Sequence, residues 1–415
     1  MSHKLQPVRG TKDILPDEQR LFSYVVDKAK NISALYGFKE FSTPIFEFTD
    51  IFKKTLGEES DVVGKEMYSF EDRGGESITL RPEFTAGVAR AFISGGLTNQ
   101  LPLKLFSYGP LFRYERPQKG RQRQFHQINC EFLGIAEAGA DIELISMAAQ
   151  ILDELGILKK TTLEINSLGD SESRVAYRDA LVAYFNGYKD ELSEDSKIRL
   201  IKNPMRILDS KDEGDKKIVA GAPVIAEYYN SQSADFFEEV RIGLKDLGVD
   251  YQVNQRLVRG LDYYCHTAFE FTTNDLGAQN TVLAGGRYDK LIGNMGGNDT
   301  PAVGFAGGIE RIALLAEVSV KEARPIAIVP IGELAEHEAA KLASVLRKAG
   351  FYIEIGYSGN VKKRMKRANS VNAAAGVIIG DDEIKQGIVK LKDFDSGEEK
   401  QVAIAALVDK LSVYR

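Results

Sequence analysis

The stretch from Arg113 to Arg123 carries five cationic side chains and a single acid, Glu115. Five positive charges against one negative charge give it a local net charge of +4, in a chain whose formal net charge is -6. Two strand-like segments, 105–116 and 123–134, lead into and out of this stretch. Together they predict a β-hairpin with a basic tip.

The second of these segments alternates along its length. One face holds an aromatic ring, two amides and a carboxylate, and the other is mostly apolar: Phe125, Gln127, Asn129 and Glu131 against His126, Ile128, Cys130 and Phe132. The polar face, beside a cluster of arginines, suits a ligand that combines a base, a phosphate and an amine. An antiparallel strand with one solvated face alternates in the same way, so the hairpin alone leaves both interpretations open.

Two further segments place charged side chains where a ligand could meet them. Glu83 and Thr85 lie two residues apart at a predicted strand-to-helix junction. They could hold an ammonium group, or they could cap the helix. Arg259 follows an apolar run, and an arginine that enters a sheet is costly unless an anion or a structural partner such as Asp262 meets it.

Two other segments are rich in glycine. Residues 285–289 could let a ligand approach the backbone closely, or could form a turn. Residues 304–311 run into a predicted apolar helix at 312–316, and glycines before a helix N-terminus favour anion binding. Arg311 is unfavourable in a first helical turn, which a bound phosphate or the neighbouring Glu310 would offset. Neither segment is a phosphate-binding loop or a dinucleotide fingerprint.

The elements that must position these residues are predicted from periodicity. A helix is expected over 18–36, followed by a strand over 38–48 that Pro44 interrupts, because proline lacks the amide that a central strand needs. A helix is then expected at 85–92, and strands at 163–165, 253–258, 268–272 and 281–283. Mostly antiparallel pairs with flanking helices indicate an α+β fold rather than a doubly wound sheet.

Two regions differ in character from the rest of the chain. From about residue 170 to 249 the pattern is helical and rich in Lys, Asp and Glu, which predicts an inserted helical subdomain. After a polar linker at 316–325, strands and helices alternate over about ninety residues and predict a small α/β domain with its own sheet. The basic run at 362–367 fits either a solvated helix face or a nucleic-acid contact.

The composition excludes several classes of protein. The chain of 415 residues is long enough for two or three domains, and no apolar run approaches the roughly 18 residues of a membrane span. We expect no secretory signal in residues 1–7 and a cytoplasmic location. Two cysteines and four histidines show no metal-ligand spacing, so no metal site is expected. A sequence pI of about 5.6 argues against indiscriminate coating of nucleic acid.

Together these segments resemble the bacterial-type histidyl-tRNA synthetases, a family of class II aminoacyl-tRNA synthetases, over nearly the whole chain. The matching segments are the family's opening (7–13), motif 1 around Pro44, motif 2 (112–115, with the strand that ends at Glu131), motif 3 (304–311) and the two boxes peculiar to histidine enzymes (259–264 and 284–289). The class II motifs are loose patterns. Their combination with both histidine boxes is highly specific.

The resemblance implies a fold and a reaction. The class II catalytic core, a mostly antiparallel sheet with flanking helices, would comprise 1–169 and 253–318, with a helical subdomain inserted at 170–252. Residues 325–415 would form an anticodon-binding α/β domain. A homodimer would join L-histidine to its tRNA through a histidyl-adenylate. ATP would be a substrate, with Mg²⁺ on its phosphates, and AMP and pyrophosphate would be released.

The resemblance also implies roles for particular residues. The expected catalytic residues are Arg259 and Arg113. The expected histidine-binding residues are Glu83, Thr85 and Gln127 at the α-amino group, Glu131 and Tyr264 at the imidazole, Tyr263 in support, and Arg259 at the carboxylate. The expected ATP-binding residues are Arg113 at the α-phosphate, Phe125 at the adenine and Arg311 at the γ-phosphate. Arg116 and Gln118 would contact tRNA, and no residue is expected to bind a metal.

Three alternatives remain at this point. A non-catalytic, synthetase-like regulatory subunit of ATP phosphoribosyltransferase would share the core fold but typically lacks the anticodon domain. A sibling synthetase for another amino acid would lack the histidine boxes. A generic ATP-dependent ligase would lack the anticodon-like domain. Phe84 and Gly307 depart from the family pattern, although neither replaces a residue with an expected role.

Overall fold

The computed structural model describes residues 5–57, 62–118, 120–259, 261, 263–277 and 280–415. Lys119 of the basic tip, and Gly260 and Asp262 of the first histidine box, lie outside the described residues. By its internal contacts the chain divides into two units, Met1–Val318 and Ser319–Arg415.

The first unit combines helices with two sheets. Its helices are α1 (Pro16–Leu35), α2 (Thr49–Leu56), α3 (Thr85–Ser94), α4 (Gly139–Glu154), α5 (Ser171–Asn186), α6 (Glu194–Lys202), α7 (Glu213–Ala220), α8 (Ser231–Asp246), α9 (Leu291–Asn294) and α10 (Ile309–Leu315). Its strands are β1 (Lys39–Glu40), β2 (Phe46–Phe48), β3 (Tyr68–Glu71), β4 (Ser77–Leu80), β5 (Leu103–Phe112), β6 (Gln124–Leu133), β7 (Thr162–Ser167), β8 (Gln252–Val253), β9 (Cys265–Thr272), β10 (Thr281–Arg287) and β11 (Ala302–Gly308).

The main sheet of this unit has eight strands in the order β1-β5-β6-β11-β10-β9-β7-β8, and a smaller sheet has the order β2-β4-β3. The six inner strands of the main sheet pair antiparallel, whereas β1 and β8 pair parallel with their neighbours. The predicted α+β class and the predicted hairpin, β5 with β6, are confirmed. The strand predicted at 253–258 is wrong, because β8 ends at Val253 and the chain then leaves the sheet.

The alternation of β6 separates a core face from a cavity face. Ile128, Cys130 and Phe132 are buried in a large core against α1, α4, α8 and α10. Gln127 and Asn129 point to the other face, where they line a cavity. The sequence leaves open whether the polar face of this strand is simply exposed to solvent. In the structure that face lies in a concave site.

The helices between β7 and β8 do not all belong to the main core. Helices α5, α6 and α7 share a separate hydrophobic cluster, which includes Tyr177, Leu181, Phe185 and Leu200. Helix α8 packs instead on α4, with Phe237, Val240 and Leu244 buried in the main core. Helices α5 to α7 therefore form a subdomain with a core of its own.

The second unit forms a sheet of its own. Its elements are β12 (Ile326–Ile331), α11 (Glu333–Lys348), β13 (Ile353–Ile355), α12 (Val361–Ser370), β14 (Ala375–Gly380), α13 (Asp381–Lys385), β15 (Ile388–Asp393), β16 (Glu399–Ala403) and α14 (Leu407–Leu411). The strand order is β13-β12-β14-β15-β16. The predicted small α/β domain is confirmed, whereas α13 and the mostly exposed edge strand β16 were not predicted.

Candidate active site

A cavity of about 520 Å³ lies on the sheet face opposite the main core. The predicted site residues that line it are Glu83, Thr85, Arg113, Phe125, Gln127, Arg259, Tyr263, Tyr264 and Arg311. Glu131 lies beneath the lining and is only 1% exposed. Arg116 and Gln118 do not line the cavity, since both are exposed at the hairpin tip. The fold therefore brings together ten of the predicted residues and leaves two apart.

Glu131 is the most constrained carboxylate of the site. Its Oε1 accepts hydrogen bonds from Thr85 Oγ1 at 2.5 Å and from Asn129 Nδ2 at 3.0 Å, and its Oε2 accepts one from the Tyr288 hydroxyl. Burial raises the pKa of Glu131 to about 7, although these three donors act in the opposite direction. The site thus holds a buried acid close to its midpoint of titration at neutral pH.

Two glycines make room for the side chains of this pocket. Gly304 on β11 pairs with Glu131 on β6, and a Cβ atom on Gly304 would overlap the Glu131 carboxylate. A Cβ atom on Gly286 of β10 would lie 2.8 Å from the Tyr264 ring. Both glycines lie within strands, so residues 285–287 do not form a turn, and the glycines at 304–308 end a strand that runs directly into α10 at Ile309. These glycines accommodate side chains of the pocket.

Glu83 both caps a helix and faces the cavity. Its two carboxylate oxygens accept hydrogen bonds from the backbone amides of Thr85 at 2.6 Å and Ala86 at 2.8 Å, at the start of α3. Burial raises the pKa of Glu83, and these amides oppose the shift. The capping interpretation is confirmed, and it leaves a fixed carboxylate with unused lone pairs at the cavity wall.

Arg259 is held by an acid that was not anticipated from the sequence. Its Nη1 donates to Glu270 Oε2 on β9 at 3.1 Å, and its guanidinium lies 5.8 Å from the centre of the Tyr264 ring. Burial alone would lower the pKa of Arg259, but the Glu270 charge contributes to a net rise. Its buried Nε has no hydrogen-bond partner among the described residues, which leaves this donor to a ligand.

Two further arginines hold fixed positions by donating to backbone carbonyls. Arg113 Nε donates to the Pro82 carbonyl at 2.9 Å, and the guanidinium lies 5.4 Å from the centre of the Phe125 ring. Arg311 donates from Nε to Gly120 at 3.1 Å and from Nη1 to Thr281 at 2.7 Å. These carbonyl bonds fix the two guanidinium groups at the cavity wall, where their positive charge suits an anionic ligand.

Sequence reasoning missed two residues that complete the site. Tyr288 supplies the third hydrogen bond to Glu131, and its ring lies 5.6 Å from that of Tyr263. Glu270 neutralises Arg259. Both lie more than ten residues from the groups they bind, so no local pattern in the sequence pairs them. A polar residue within an otherwise apolar strand was the one signal that pointed to Glu270.

Arg287, in the second histidine box, has a structural partner. It is fully buried and bonded to Asp141, which is buried as well, and its Nη1 donates to the Ile135 carbonyl at 2.9 Å. The cation joins β10 to α4 on the core side of the sheet. Removal of Asp141 leaves the buried Arg287 cation with only the partly exposed Asp289, 3.0 Å from its Nη1, which is strongly destabilising.

We therefore expect Asp141→Ala to lower the free energy of unfolding of the first unit by about 3–5 kcal/mol. Chemical denaturation of the full chain, followed by circular dichroism, measures the change. Asp299→Ala is the matched control, because Asp299 pairs with Lys290 with both side chains 61% exposed. That control should lose less than about 1 kcal/mol. Equal losses in the two variants would contradict a special role for the buried pair.

The described residues show no group of three or more His, Cys, Asp or Glu side chains that could hold a metal ion. Among the helices of the described chain, none has the length and apolar character needed to cross a membrane.

Comparisons with known proteins show which family models, sequences and structures this chain resembles. A family model described as histidyl-tRNA synthetase matches residues 10–172 and 201–312, and one described as anticodon binding domain matches 325–413. The histidine–tRNA ligase of Wolbachia pipientis wMel is 59% identical over 398 residues, covering 96% of this chain and 97% of the relative. That of Rhodospirillum rubrum is 56% identical over 409 residues, covering 98% and 99%. The crystal structure of apo S. aureus histidyl-tRNA synthetase matches with a TM-score of 0.84 and 34% identity, covering 98% of this chain and 99% of that chain.

Proposed function

The chain belongs to the histidyl-tRNA synthetase family, and we propose how its cavity carries out the ATP-dependent ligation of L-histidine to its tRNA. The observation that carries this function is the 59% identity to a histidine–tRNA ligase over 96% of the chain. A domain of anticodon-binding type at 325–413 does not favour the regulatory-subunit alternative.

In the first step the carboxylate of histidine attacks the α-phosphorus of ATP, which forms histidyl-adenylate and releases pyrophosphate. Arg259 and Arg113 would lie on either side of that phosphate and stabilise the negative charge that develops on its oxygens. The free Nε of Arg259 supports this role. In the second step a hydroxyl of the terminal adenosine of tRNA attacks the histidyl carbonyl carbon, and AMP leaves.

Histidine would lie over the Glu131 pocket. Glu83, Thr85 and Gln127 would bind its α-amino group, while Glu131 and Tyr264 would bind the two imidazole nitrogens and Tyr263 would support Tyr264. The proposal is supported by the fixed Glu83 carboxylate and by the ring contact of Tyr263 with Tyr264, whose centres are 4.6 Å apart. Hydrogen bonds on both sides of a ring distinguish imidazole from an apolar isostere.

ATP would occupy the half of the cavity next to the hairpin. Phe125 would stack on the adenine, Arg113 would bind the α-phosphate, and Arg311 would bind the γ-phosphate. Mg²⁺ commonly binds through substrate phosphates and one or two carboxylates. Glu270 already pairs with Arg259 and no residue is expected to bind a metal, so Mg²⁺ would be held by the ATP phosphates.

The tRNA would contact two regions of the chain. Arg116 and Gln118, exposed at the hairpin tip, would meet the acceptor end. The 325–415 domain would read the anticodon. The catalytic core would comprise 1–169 and 253–318, with 170–252 as its inserted subdomain. A cytoplasmic location would give the enzyme access to the tRNA used in protein synthesis.

A homodimer would cover an apolar surface on the smaller sheet. Ile45, Phe46, Phe48 and Phe70 are each more than 40% exposed on or beside β2 and β3. Clustered exposed apolar side chains of this kind mark interaction surfaces. They include the segment that resembles motif 1, so we propose this sheet as the dimer contact.

The experiment that tests the function is tRNA charging. Incubation with ATP, radiolabelled histidine and a transcript of histidine tRNA should yield charged tRNA, because the chain combines the activation site with an anticodon-binding domain. A transcript of another tRNA should stay uncharged, and so should histidine tRNA without ATP. Failure to charge histidine tRNA with folded protein would contradict the proposal.

A further inference from the structure

The segment that carries Arg259, Tyr263 and Tyr264 runs between two cavities. Its front lines the large cavity, and its back lines a smaller one of about 20 Å³. The smaller cavity is also lined by Arg174 of α5 and by Met205, which follows α6. Its described residues, 254–259, 261, 263 and 264, lie outside the sheet ladders, since β8 ends before them and β9 begins after them. Its position must therefore be fixed by contacts other than strand pairing.

Arg174 fixes the end of the segment next to β9. Its Nη1 donates to the backbone carbonyl of Tyr264 at 2.7 Å. The helix that carries it, α5, is capped at its N-terminus, because the Asp170 side chain accepts a hydrogen bond from the Ser173 amide at 2.8 Å. A charged donor on a capped helix thus holds the backbone of a residue in the predicted histidine pocket.

Arg256 fixes the other end, next to β8. Its Nη1 donates to the Pro223 carbonyl at 2.8 Å, and its Nη2 donates to the carbonyls of Ala222 and Ala220. Helix α7 ends at Ala220, so these carbonyls lie at or just beyond its C-terminus, where orphan acceptors favour a cation. Arg256 thereby ties the segment to α7, just as Arg174 ties it to α5.

We propose that Arg174 and Arg256 are positioning residues for histidine activation, through which the helices α5 and α7 hold Arg259, Tyr263 and Tyr264 in place. This inference rests on the proposed function of the cavity. Arg256 also lines the large cavity, but in this proposal neither arginine touches the reacting atoms. Misplacement of catalytic groups by about 1 Å can cost up to about 100-fold in rate, so contacts behind the site can govern the chemistry in front of it.

The kinetic test replaces Arg174 by methionine, which keeps the length of the side chain and removes its donors. Histidine-dependent ATP–pyrophosphate exchange should show a KM for histidine raised about 10-fold and a lower kcat, with the KM for ATP changed by less than about twofold. Arg256→Met should act in the same direction. Arg178→Met, one turn further along α5 at an exposed position, is the matched control and should match wild type.

Parameters like those of the control, or equal rises in the KM values for histidine and ATP, would overturn the proposal. A second measurement needs no variant. In the wild-type protein, histidine should slow amide hydrogen exchange at 172–176 and 220–224 but not in α6. Protection from amide hydrogen exchange that is confined to residues lining the large cavity would also overturn the proposal. If the proposed function itself failed, the result would be different, because wild-type protein would then show no histidine-dependent ATP–pyrophosphate exchange.

Discussion

Replacing Arg259 by alanine is expected to lower histidine-dependent ATP–pyrophosphate exchange by about 10³-fold while the chain remains folded. The Arg259 side chain is 20% exposed at the cavity wall and its buried Nε has no hydrogen-bond partner among the described residues, so its charge acts in a poorly solvated place. Alanine removes both the charge and the donor. Because the charge on phosphate oxygens grows toward the transition state, the loss should fall mainly on kcat.

The Glu270 carboxylate complicates this variant, since Arg259→Ala leaves it buried without its partner. The double variant Arg259→Ala/Glu270→Gln removes that unpaired charge. It should regain stability relative to the single variant and stay as inactive. Arg73→Ala, at an exposed turn, serves as the arginine control. Exchange by Arg259→Ala within about tenfold of wild type would show that Arg259 does not supply the decisive charge.

Replacing Glu131 by glutamine is expected to weaken histidine selection more than any other change at the pocket. Three donors surround the carboxylate, from Thr85, Asn129 and Tyr288. A glutamine amide would oppose at least one of them with its own NH₂ group and could not accept on both sides. A mispaired buried group costs about 1–3 kcal/mol, so the KM for histidine should rise by about 10- to 100-fold.

Exchange kinetics with varied histidine and saturating ATP measure this effect. Tyr288→Phe removes one of the three bonds and should give an intermediate KM, while the KM for ATP should change in neither variant. An unchanged KM for histidine in Glu131→Gln would refute the role of this carboxylate.

The titration of Glu131 offers an independent check on the same residue. Burial raises its pKa from 4.5 to about 7 in the folded chain. A carboxyl with a raised pKa stabilises the fold below its unfolded pKa, and that contribution is lost as pH rises through the folded pKa. Between pH 5 and pH 8, the melting temperature of the wild-type protein should therefore fall by more than that of Glu131→Gln. If the melting temperatures of the two proteins fell equally with pH, the raised pKa of Glu131 would be contradicted.

Much of the site could be predicted because its residues follow local patterns. Alternation along β6 placed Gln127, Asn129 and Glu131 on one face, as the structure confirms. The role of Gly304 could not be predicted, for a physical reason. Glycine in sequence signals either backbone freedom or the need for space, and only the register of β11 with β6 shows that Gly304 makes room for Glu131.

What could not be predicted depends on contacts across long sequence distances. The partnership of Arg287 with Asp141 spans 146 residues and joins a strand to a helix. The segment 253–258, which ends in the apolar pair Leu257 and Val258, is predicted from the sequence to be a strand. In the structure Arg256 instead turns toward the end of α7, and Asn166 Nδ2 donates to the Leu257 carbonyl at 3.0 Å. These side-chain contacts replace a strand ladder, and periodicity carries no information about them.

ATP–pyrophosphate exchange run separately with each of the twenty amino acids tests whether the Glu131 pocket selects histidine. We predict that kcat/KM for exchange with histidine exceeds that with every other amino acid by about 10⁴-fold. Amino acids that do not fit would leave buried hydrogen-bonding groups of the pocket unpaired. Exchange with none of the twenty, or with one other than histidine, would contradict it.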